Sequence, residues 1–454
     1  MIFTNNLRKN LKAVFFKEYA YTQKDVSQGF NISNKEVQKI QKNYKEKLDY
    51  IQKVRKKFHL KQKSNNFRFK NFLEFYFWYR NQPKKCSYCR TKENVLIYLY
   101  DNKVISSKRK RGRTLEIERK NSTLNEYSKD NCILSCYFCN NHKSDTISEK
   151  DYRKYFAKPM QDYLFKSYNI CDKEKNHLYI SDIDSLSKDL QKKYKNFYDK
   201  FTKLLNENNI KYTLLQATKD IWCRDYMPIQ INPKTFLTYS YNPDYLKAKK
   251  HLKIKTNFND VNHTLKLKKL IKTELILDGG NIVKSKNCAI LTDKIFKENP
   301  RYSKVELIQE LKNKLGVEKI IIIPWDKKNE YFGHADGMVR FIDENTVLIN
   351  DYFKSYPIKF QENFFTALKD NNLVYKELTF DISNRNDKLN WGYINYLEIK
   401  DIIILPEFGI DEDSIAKEQF IEIFKNYKIL SIDACKLIEN GGVLNCMTWS
   451  IYQE

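Results

Sequence analysis

Close to its last residue the chain places one thiol on a turn of small residues, Asn440-Gly441-Gly442-Val443-Leu444-Asn445-Cys446-Met447-Thr448. Three motifs precede it: Trp222-Cys223-Arg224-Asp225-Tyr226-Met227-Pro228, Asp278-Gly279-Gly280-Asn281 and Gly333-His334-Ala335-Asp336-Gly337. Together they offer a nucleophile, an acid/base and several carboxylates. A lone Cys is usually a buried hydrophobe, but one with a His and paired acids elsewhere in the chain is a candidate nucleophile. The chemistry that suits this set is attack on the central carbon of a guanidinium. Resonance makes that carbon a poor electrophile. Two carboxylates that each grip a pair of N–H groups would hold the planar cation and keep its charge paired. A thiolate approaching perpendicular to the plane forms a tetrahedral adduct, and an imidazole protonates departing ammonia before deprotonating the incoming water. The bound cation itself helps to keep the thiol ionised.

Local spacing supports the arrangement. His334 and Asp336 sit two apart, so an extended backbone would point both to one face. Gly441-Gly442 allow the close backbone approach that a nucleophile turn requires. Taken singly, each residue also has a structural reading: Cys446 as a core thiol, His334 as a satisfied histidine, Asp225 as a turn residue and Gly279-Gly280 as a turn. Cys223, Cys288 and Cys435 read as inert core thiols.

A second constellation lies earlier. Cys86-Ser87-Tyr88-Cys89 and Cys136-Tyr137-Phe138-Cys139 form two Cys-x-x-Cys pairs 46 residues apart. Each tight turn offers two thiolates, and two turns complete a tetrahedral Zn²⁺ shell. A closed four-thiolate shell leaves no open position, so such a zinc ion folds its module and performs no chemistry.

The 454 residues suggest two domains, and 41% hydrophobic content supplies real cores. Charge divides them. Residues 1–165 hold 37 Lys and Arg against 16 Asp and Glu, whereas the remainder is only +5. The basic third therefore suggests a polyanion partner, nucleic acid before membrane. No apolar run is long enough to span a bilayer, and there is no signal-peptide pattern. With cysteines paired for metal, this indicates a reducing compartment, the cytoplasm or nucleus.

The elements that must position these motifs follow from periodicity. Asn34 is a candidate cap for a helix over 35–58, with Val37, Ile40, Tyr44, Leu48, Ile51 and Val54 on one face and Lys opposite. A second helix covers 67–80, and another covers 151–168. Between them lies the very basic segment Lys108-Arg109-Lys110-Arg111-Gly112-Arg113. From His177 onward, strands at 178–181, 211–215, 275–277, 319–323, 346–349, 402–405 and 429–432 alternate with helices at 184–207, 305–315, 357–371 and 413–425. That alternation is an α/β domain of mixed sheets. No repeat is visible in the residues.

Two resemblances add to this. Residues 70–150 resemble the HNH endonuclease family through Leu115-Glu116-Ile117-Glu118-Arg119-Lys120-Asn121, Tyr127-Ser128-Lys129-Asp130-Asn131-Cys132 and Cys136 to Asp145. The resemblance implies a small ββα-metal domain. Asn131 and Asn140 fit the family pattern, but Glu118-Arg119 stands where the family has Asp-His. Arg stays protonated and cannot replace the His that activates water. The expectation is a degenerate nuclease site that still binds nucleic acid.

Residues 177–454 resemble the agmatine deiminase and bacterial peptidylarginine deiminase family. The motifs already quoted carry the resemblance, with Tyr393-Ile394-Asn395-Tyr396 and Leu405-Pro406-Glu407-Phe408-Gly409, all in the family's order. It implies a five-bladed pseudo-symmetric α/β propeller with the active site on its axis. It implies Cys446 as nucleophile, His334 as acid/base, Asp225 and Asp336 as guanidinium clamps, Trp222 beside the substrate and Asp278 as a further acid. It implies no cofactor for the deiminase. Asp278 replaces the usual Glu, and Asn445 replaces the His often found before the Cys. The resulting expectation is three regions: a basic helical segment (1–80), a zinc-braced HNH-like domain (81–168) and a deiminase propeller (177–454). Agmatine going to N-carbamoylputrescine is the favoured reaction. Protein arginine is the alternative substrate, and a nuclease or nucleic-acid binder with a vestigial deiminase domain is the alternative of another class.

Overall fold

The computed structural model describes Ser33, Lys35 and residues 45–453, apart from 65, 102, 106–110, 249–253, 262, 264, 328–331, 352–355 and 387. The expected cap at Asn34, the positions Val37, Ile40 and Tyr44, and the cations Lys108, Arg109 and Lys110 lie outside the described residues. The chain divides into two compact units, 1–167 and 168–454.

In the first unit, α1 (Lys45–Gln62) and α2 (Phe72–Asn81) pack an aromatic core. Phe58 makes edge contacts with Phe67, Phe72 and Phe75, at centroid separations of 5.3 to 5.6 Å. The second helix starts five residues later than its periodicity suggests. Asn71 caps it by accepting from the Glu74 amide, while Phe67 is held in a β-bridge to Tyr127. The apolar stretch 95–100 belongs to a helix, α3 (Glu93–Asp101). Strands β1 (Glu116–Arg119) and β2 (Cys132–Ser135) pair antiparallel and lead into α4 (Tyr137–Lys143).

The second unit contains five three-stranded sheets built to one plan. They comprise β3 (His177–Ser181) and β4 (Tyr212–Leu215); β5 (Ile229–Asn232), β6 (Thr235–Ser240) and β7 (Lys269–Ile276); and β8 (Val283–Lys284), β9 (Cys288–Thr292) and β10 (Lys319–Ile323). Then come β11 (Val339–Phe341), β12 (Thr346–Asn350) and β13 (Val374–Leu378), followed by β14 (Leu397–Ile399), β15 (Ile402–Glu407) and β16 (Lys428–Asp433). The last strand, β17 (Trp449–Ile451), completes the first sheet by pairing antiparallel with β3. In every sheet the middle strand has one antiparallel and one parallel neighbour. A parallel neighbour demands a crossover. Helices Lys188–Glu207, Lys304–Leu315, Ile358–Lys369 and Glu412–Ile423 supply it in four sheets. This is a propeller-like α/β arrangement.

The strands read from sequence are mostly the buried parallel ones, whose continuous apolar runs stand out, as in Lys319–Ile323. The short antiparallel members such as Val283–Lys284 and Leu397–Ile399 carry too few residues to show a period. The repeat is one of topology and leaves no trace in residue identity.

Candidate active site

Four of the chemistry-bearing motifs, together with Asn395, lie on the five connections between consecutive sheets. Asp225 is on a short helix, Cys223–Tyr226, between β4 and β5. Asp278 follows β7, and His334 and Asp336 precede β11. Asn395 ends a 3₁₀ turn before β14, and Cys446 lies on the short helix Leu444–Met447 before β17. Each of the five connections therefore hands at least one polar group to a common centre.

There the residues converge. The Nε2 of His334 lies 2.8 Å from Asp278 Oδ2, and its Nδ1 lies 4.0 Å from Asp225 Oδ1. Cys446 Sγ lies 3.6 Å from Asp336 Oδ2. Asn445 Nδ2 donates to the same Asp336 oxygen at 2.5 Å, and Arg224 Nη2 donates to Asn445 Oδ1 at 2.7 Å. Asn445, the residue found in place of a His, thus orients Asp336 beside the sulfur. All four titratable partners of Cys446 are buried.

The extended backbone expected between His334 and Asp336 is not what brings them together. Residues 335–338 form a turn, closed by Met338 N–H donating to Ala335 O, and Gly333 has φ +75°. Asp336 N–H donates across to Gly280 O at 3.1 Å, so the neighbouring connection fixes the turn. Gly280 has no room for a side chain. A β-carbon there would stand 2.5 Å from His334 Nδ1 and 3.0 Å from Asp225 Oδ1. At Gly442 it would meet the Trp222 ring at 2.6 Å.

Asn395 has a role that sequence reasoning missed. Its Oδ1 accepts from the amides of Val443 and Cys446, both at 3.2 Å, and holds the thiol-bearing helix in place. The motif around it was legible. Only the fold reveals that its amide is aimed at another connection.

A cavity of about 320 Å³ opens over this centre, lined by Asp225, His334 and Cys446 at its floor. Trp222, Tyr241, Tyr245 and Phe332 supply aromatic walls, and Asp220 is a further acid in the lining. Asp278 and Asp336 are not among its lining residues; Asp278 lies against His334, and Asp336 beside the Cys446 sulfur. Among the described residues no Lys or Arg lines it.

Electrostatics follow from burial. Oδ1 of Asp225 and Oδ1 of Asp278 are buried with no hydrogen-bond partner among the described residues. Burial, with Asp278 and Asp336 nearby, raises the Asp225 carboxyl well above its ordinary range. Burial also opposes ionisation of Asp278, yet the His334 imidazolium beside it holds it below the usual carboxylate value. Burial likewise opposes the charged imidazole, but Asp278 and Asp225 raise His334 well above 6.5. The Cys446 thiol is pushed up to about 12, by burial first and by the Asp336 carboxylate second, with His334 pulling the other way. An acidic, partly unsatisfied centre of this kind calls for a cation. The ligand atoms of Asp225, Asp278 and His334 lie within 4.8 Å of one another and could hold a metal ion. A guanidinium answers the same charge and also presents N–H donors to the orphaned Asp225 oxygen in the lining.

The raised thiol has a measurable consequence. With its pKa above the ordinary value of about 8.5, less thiolate exists at any neutral or mildly alkaline pH. Iodoacetamide should therefore inactivate the free protein more slowly than it alkylates a simple thiol. The rate constant should climb through about pH 10 instead of levelling near the ordinary thiol value. A plateau near that value would show that the sulfur is not in the environment described.

The four paired cysteines come together in the first unit. Cys86, Cys89, Cys136 and Cys139 are buried, with ligand atoms all within 4.8 Å of one another. Cys89 Sγ and Cys136 Sγ lie 3.7 Å apart. A tetrahedron with zinc–sulfur arms of about 2.3 Å has edges of about 3.8 Å, so the donor set fits that ion. The residues of the expected degenerate nuclease site are tied into the fold. Asn131 accepts from Asn121 N–H and donates to the carbonyls of Asn121 and Glu126. Asn140 donates to Glu116, and the buried Glu118 pairs with the fully buried Lys143 at 3.2 Å. Arg119 lies over the Tyr127 ring. Cys223 and Cys288 are core thiols as expected, whereas Cys435 is only half-buried because it opens an exposed turn.

Residues 142–451 match the Porphyromonas-type peptidyl-arginine deiminase family. Two curated relatives carry the name "Putative agmatine deiminase". That of Legionella pneumophila is 31% identical over 187 residues, covering 38% of this chain and 52% of its own length. The one numbered 1 in Listeria monocytogenes is 23% identical over 215 residues, covering 39% and 58%. The chain thus spans about half the length of the curated relatives it matches. Among solved structures, the C. jejuni agmatine deiminase is similar in fold at a TM-score of 0.51 and 21% identity, covering 63% of this chain and 96% of that one. No described helix is long and apolar enough to cross a membrane.

Proposed function

The chain belongs to the Porphyromonas-type peptidyl-arginine deiminase family, and on that premise we propose that it hydrolyses the guanidine of agmatine to a ureido group, releasing ammonia and N-carbamoylputrescine. One observation carries the reading. A thiol, an imidazole and an unpartnered carboxylate oxygen share the floor of one cavity whose lining holds a second acid, Asp220, and no described cation.

The roles follow from position. Asp225 takes N–H groups of the guanidinium from the cavity lining, and Asp336, outside that lining and 3.6 Å from the sulfur, is the second clamp on the edge that settles against Cys446. The bound cation ionises the Cys446 thiol, whose proton leaves to solvent, and the thiolate adds to the guanidinium carbon while His334 stays protonated. The tetrahedral adduct collapses as ammonia departs with a proton from His334. Water then gives its proton back to His334 and attacks the S-alkylthiouronium carbon, and collapse expels the thiolate and leaves the ureido product. Asp278 keeps the imidazole oriented and charged between steps. A chelator should not affect this chemistry. A reducing compartment such as the cytoplasm suits a thiol nucleophile.

Asp220 favours agmatine over arginine. A distal ammonium would meet an acid at the cavity lining, whereas the carboxylate of free arginine would meet an acid and, among the described residues, no counter-charge. Burial lifts the Asp220 carboxyl to about 7, so an ammonium beside it would favour its ionised form. Ureido product should therefore form from agmatine far better than from free arginine or an arginine peptide. Asp220→Asn should raise KM for agmatine roughly 10-fold or more, the scale of one charged contact. Turnover of an arginine peptide exceeding that of agmatine would instead favour the protein-arginine reading.

The first unit we read as a zinc-braced, HNH-like, nucleic-acid-binding module. The order β1, β2, α4 and the four-thiol cluster support that reading. Cleavage is not expected of it. The Lys143 ammonium sits among Glu118 Oε1, Arg119 O and Ser144 O at 3.2 to 3.4 Å, filling with its own charge an oxygen cluster that a divalent cation would need. Plasmid should remain supercoiled with Mg²⁺ or Mn²⁺ present. Nicking abolished by Asn131→Ala would overturn this.

A further inference from the structure

A second large cavity lies wholly within the first unit and has no part in deimination. It encloses about 370 Å³ between α1 and the start of β1. Its lining includes Lys57, Lys61, Arg111, Arg113 and Asn140, with Glu116 as the one acid among its lining residues. That acid is already answered, because Arg111 pairs with it and the Asn140 amide donates to it at 2.8 Å. The remaining cations keep the groove electropositive.

Each cation is held in a definite place. Lys57 Nζ donates to Leu115 O at 2.7 Å, which ties α1 to the strand. Lys61, one helical turn further on, rests its ammonium 4.0 Å over the Tyr127 ring. The Arg111 guanidinium lies 5.0 Å over Tyr137. Arg113 makes two bonds to Asp101, at 2.7 and 2.9 Å, in a pair that is nearly half exposed on both sides. An exposed pair of this kind is worth little, so its guanidinium can turn to a phosphate at small cost. The wall is concave, which suits a strand and not the flat face of a bilayer. Upstream, the sequence continues the charge with Lys108, Arg109 and Lys110.

We propose that this groove binds the phosphodiester backbone of a nucleic acid strand, with Lys61 and Arg113 as phosphate ligands, Lys57 and Arg111 setting the groove's shape, and the bases unread. This rests on the nucleic-acid reading of the first unit and names where contact is made. Phosphate contacts release counterions, so affinity should fall steeply with salt, and each lost cation should flatten that dependence.

The test uses the full chain and a fluorescein-labelled single strand, with anisotropy followed through a KCl series. Lys61→Ala and Arg113→Ala should each reduce the slope of log K against log salt by about 0.7, and the double variant by about twice that. Far-UV circular dichroism, zinc content and agmatine turnover should remain those of wild type, which separates lost contact from lost folding. Wild-type binding that both substitutions leave unchanged would overturn the groove while sparing the nucleic-acid reading. No binding by wild type would overturn both. Stronger binding to vesicles of equal phosphatidylserine and phosphatidylcholine than to the oligonucleotide would also overturn it.

Discussion

Replacing Cys446 with alanine should abolish conversion of agmatine to a ureido product, lowering kcat/KM by roughly 10⁴-fold or more, the scale on which enzymes lose a covalent nucleophile. That factor corresponds to about 5.5 kcal/mol of transition-state stabilisation. The loss is expected to fall on the chemical step. The cavity walls and the carboxylates that attract the cation do not depend on the sulfur, so agmatine should still bind to the inactive protein. The sulfur contacts the side chain of Asp336 at 3.6 Å, and the helix bearing it is held independently by Asn395 through two backbone amides. Thermal unfolding of the second unit should therefore shift little. Calorimetry with agmatine on the alanine variant, beside colorimetric ureido detection, separates these quantities. Wild type and Cys446→Ala behaving alike on agmatine, arginine and an arginine peptide would sink the enzymatic reading and favour the vestigial one.

The second large effect concerns zinc. If the four buried thiols gathered within 4.8 Å share the proposed zinc ion, withdrawing it would leave them without a common cation. Structural zinc sites of this type contribute on the order of 10–16 kcal/mol to folding, more than the whole stability of a small domain. Cys86→Ser or Cys139→Ser, or a strong chelator at elevated temperature, should therefore unfold residues 1–167. Residues 168–454 form their own compact unit with five sheets and large apolar clusters. Deiminase turnover should consequently survive the treatment. The expected readout is one mole of zinc per chain in the native protein and loss of the first of two unfolding transitions on removal. Metal-free protein with an unchanged first transition would show that the cysteines brace nothing.

The candidate site was legible in unequal measure. Cys446, His334, Asp225, Asp278 and Asp336 are polar residues in glycine-marked turns, and their types alone suggested an acid-assisted thiol. What joined them was hidden. Asp336 is aligned by Asn445, which read as a substitution and is itself held by Arg224, and the cysteine helix is held by Asn395 from a different connection. An amide that accepts from the backbone of the next connection, 48 and 51 residues further on, has no local signature. The extended dipeptide expected at His334 and Asp336 was a turn, because the partner that shapes it, Gly280 O, is distant in sequence. In the first unit the residues 95–100 are apolar in sequence, but a short apolar run fits either period, and only the fold shows it as a helix.

Residue chemistry and order along the chain were sufficient to point to the deiminase family, to the four cysteines that gather in the first unit and to the basic character of the first third, because these depend on which side chains exist. The five-sheet arrangement, the burial that sets each proton's affinity, the acid in the cavity lining and the cation-lined groove required the folded chain. All of them arise from contacts between segments far apart in sequence, and a linear pattern does not encode which distant backbone a side chain will meet.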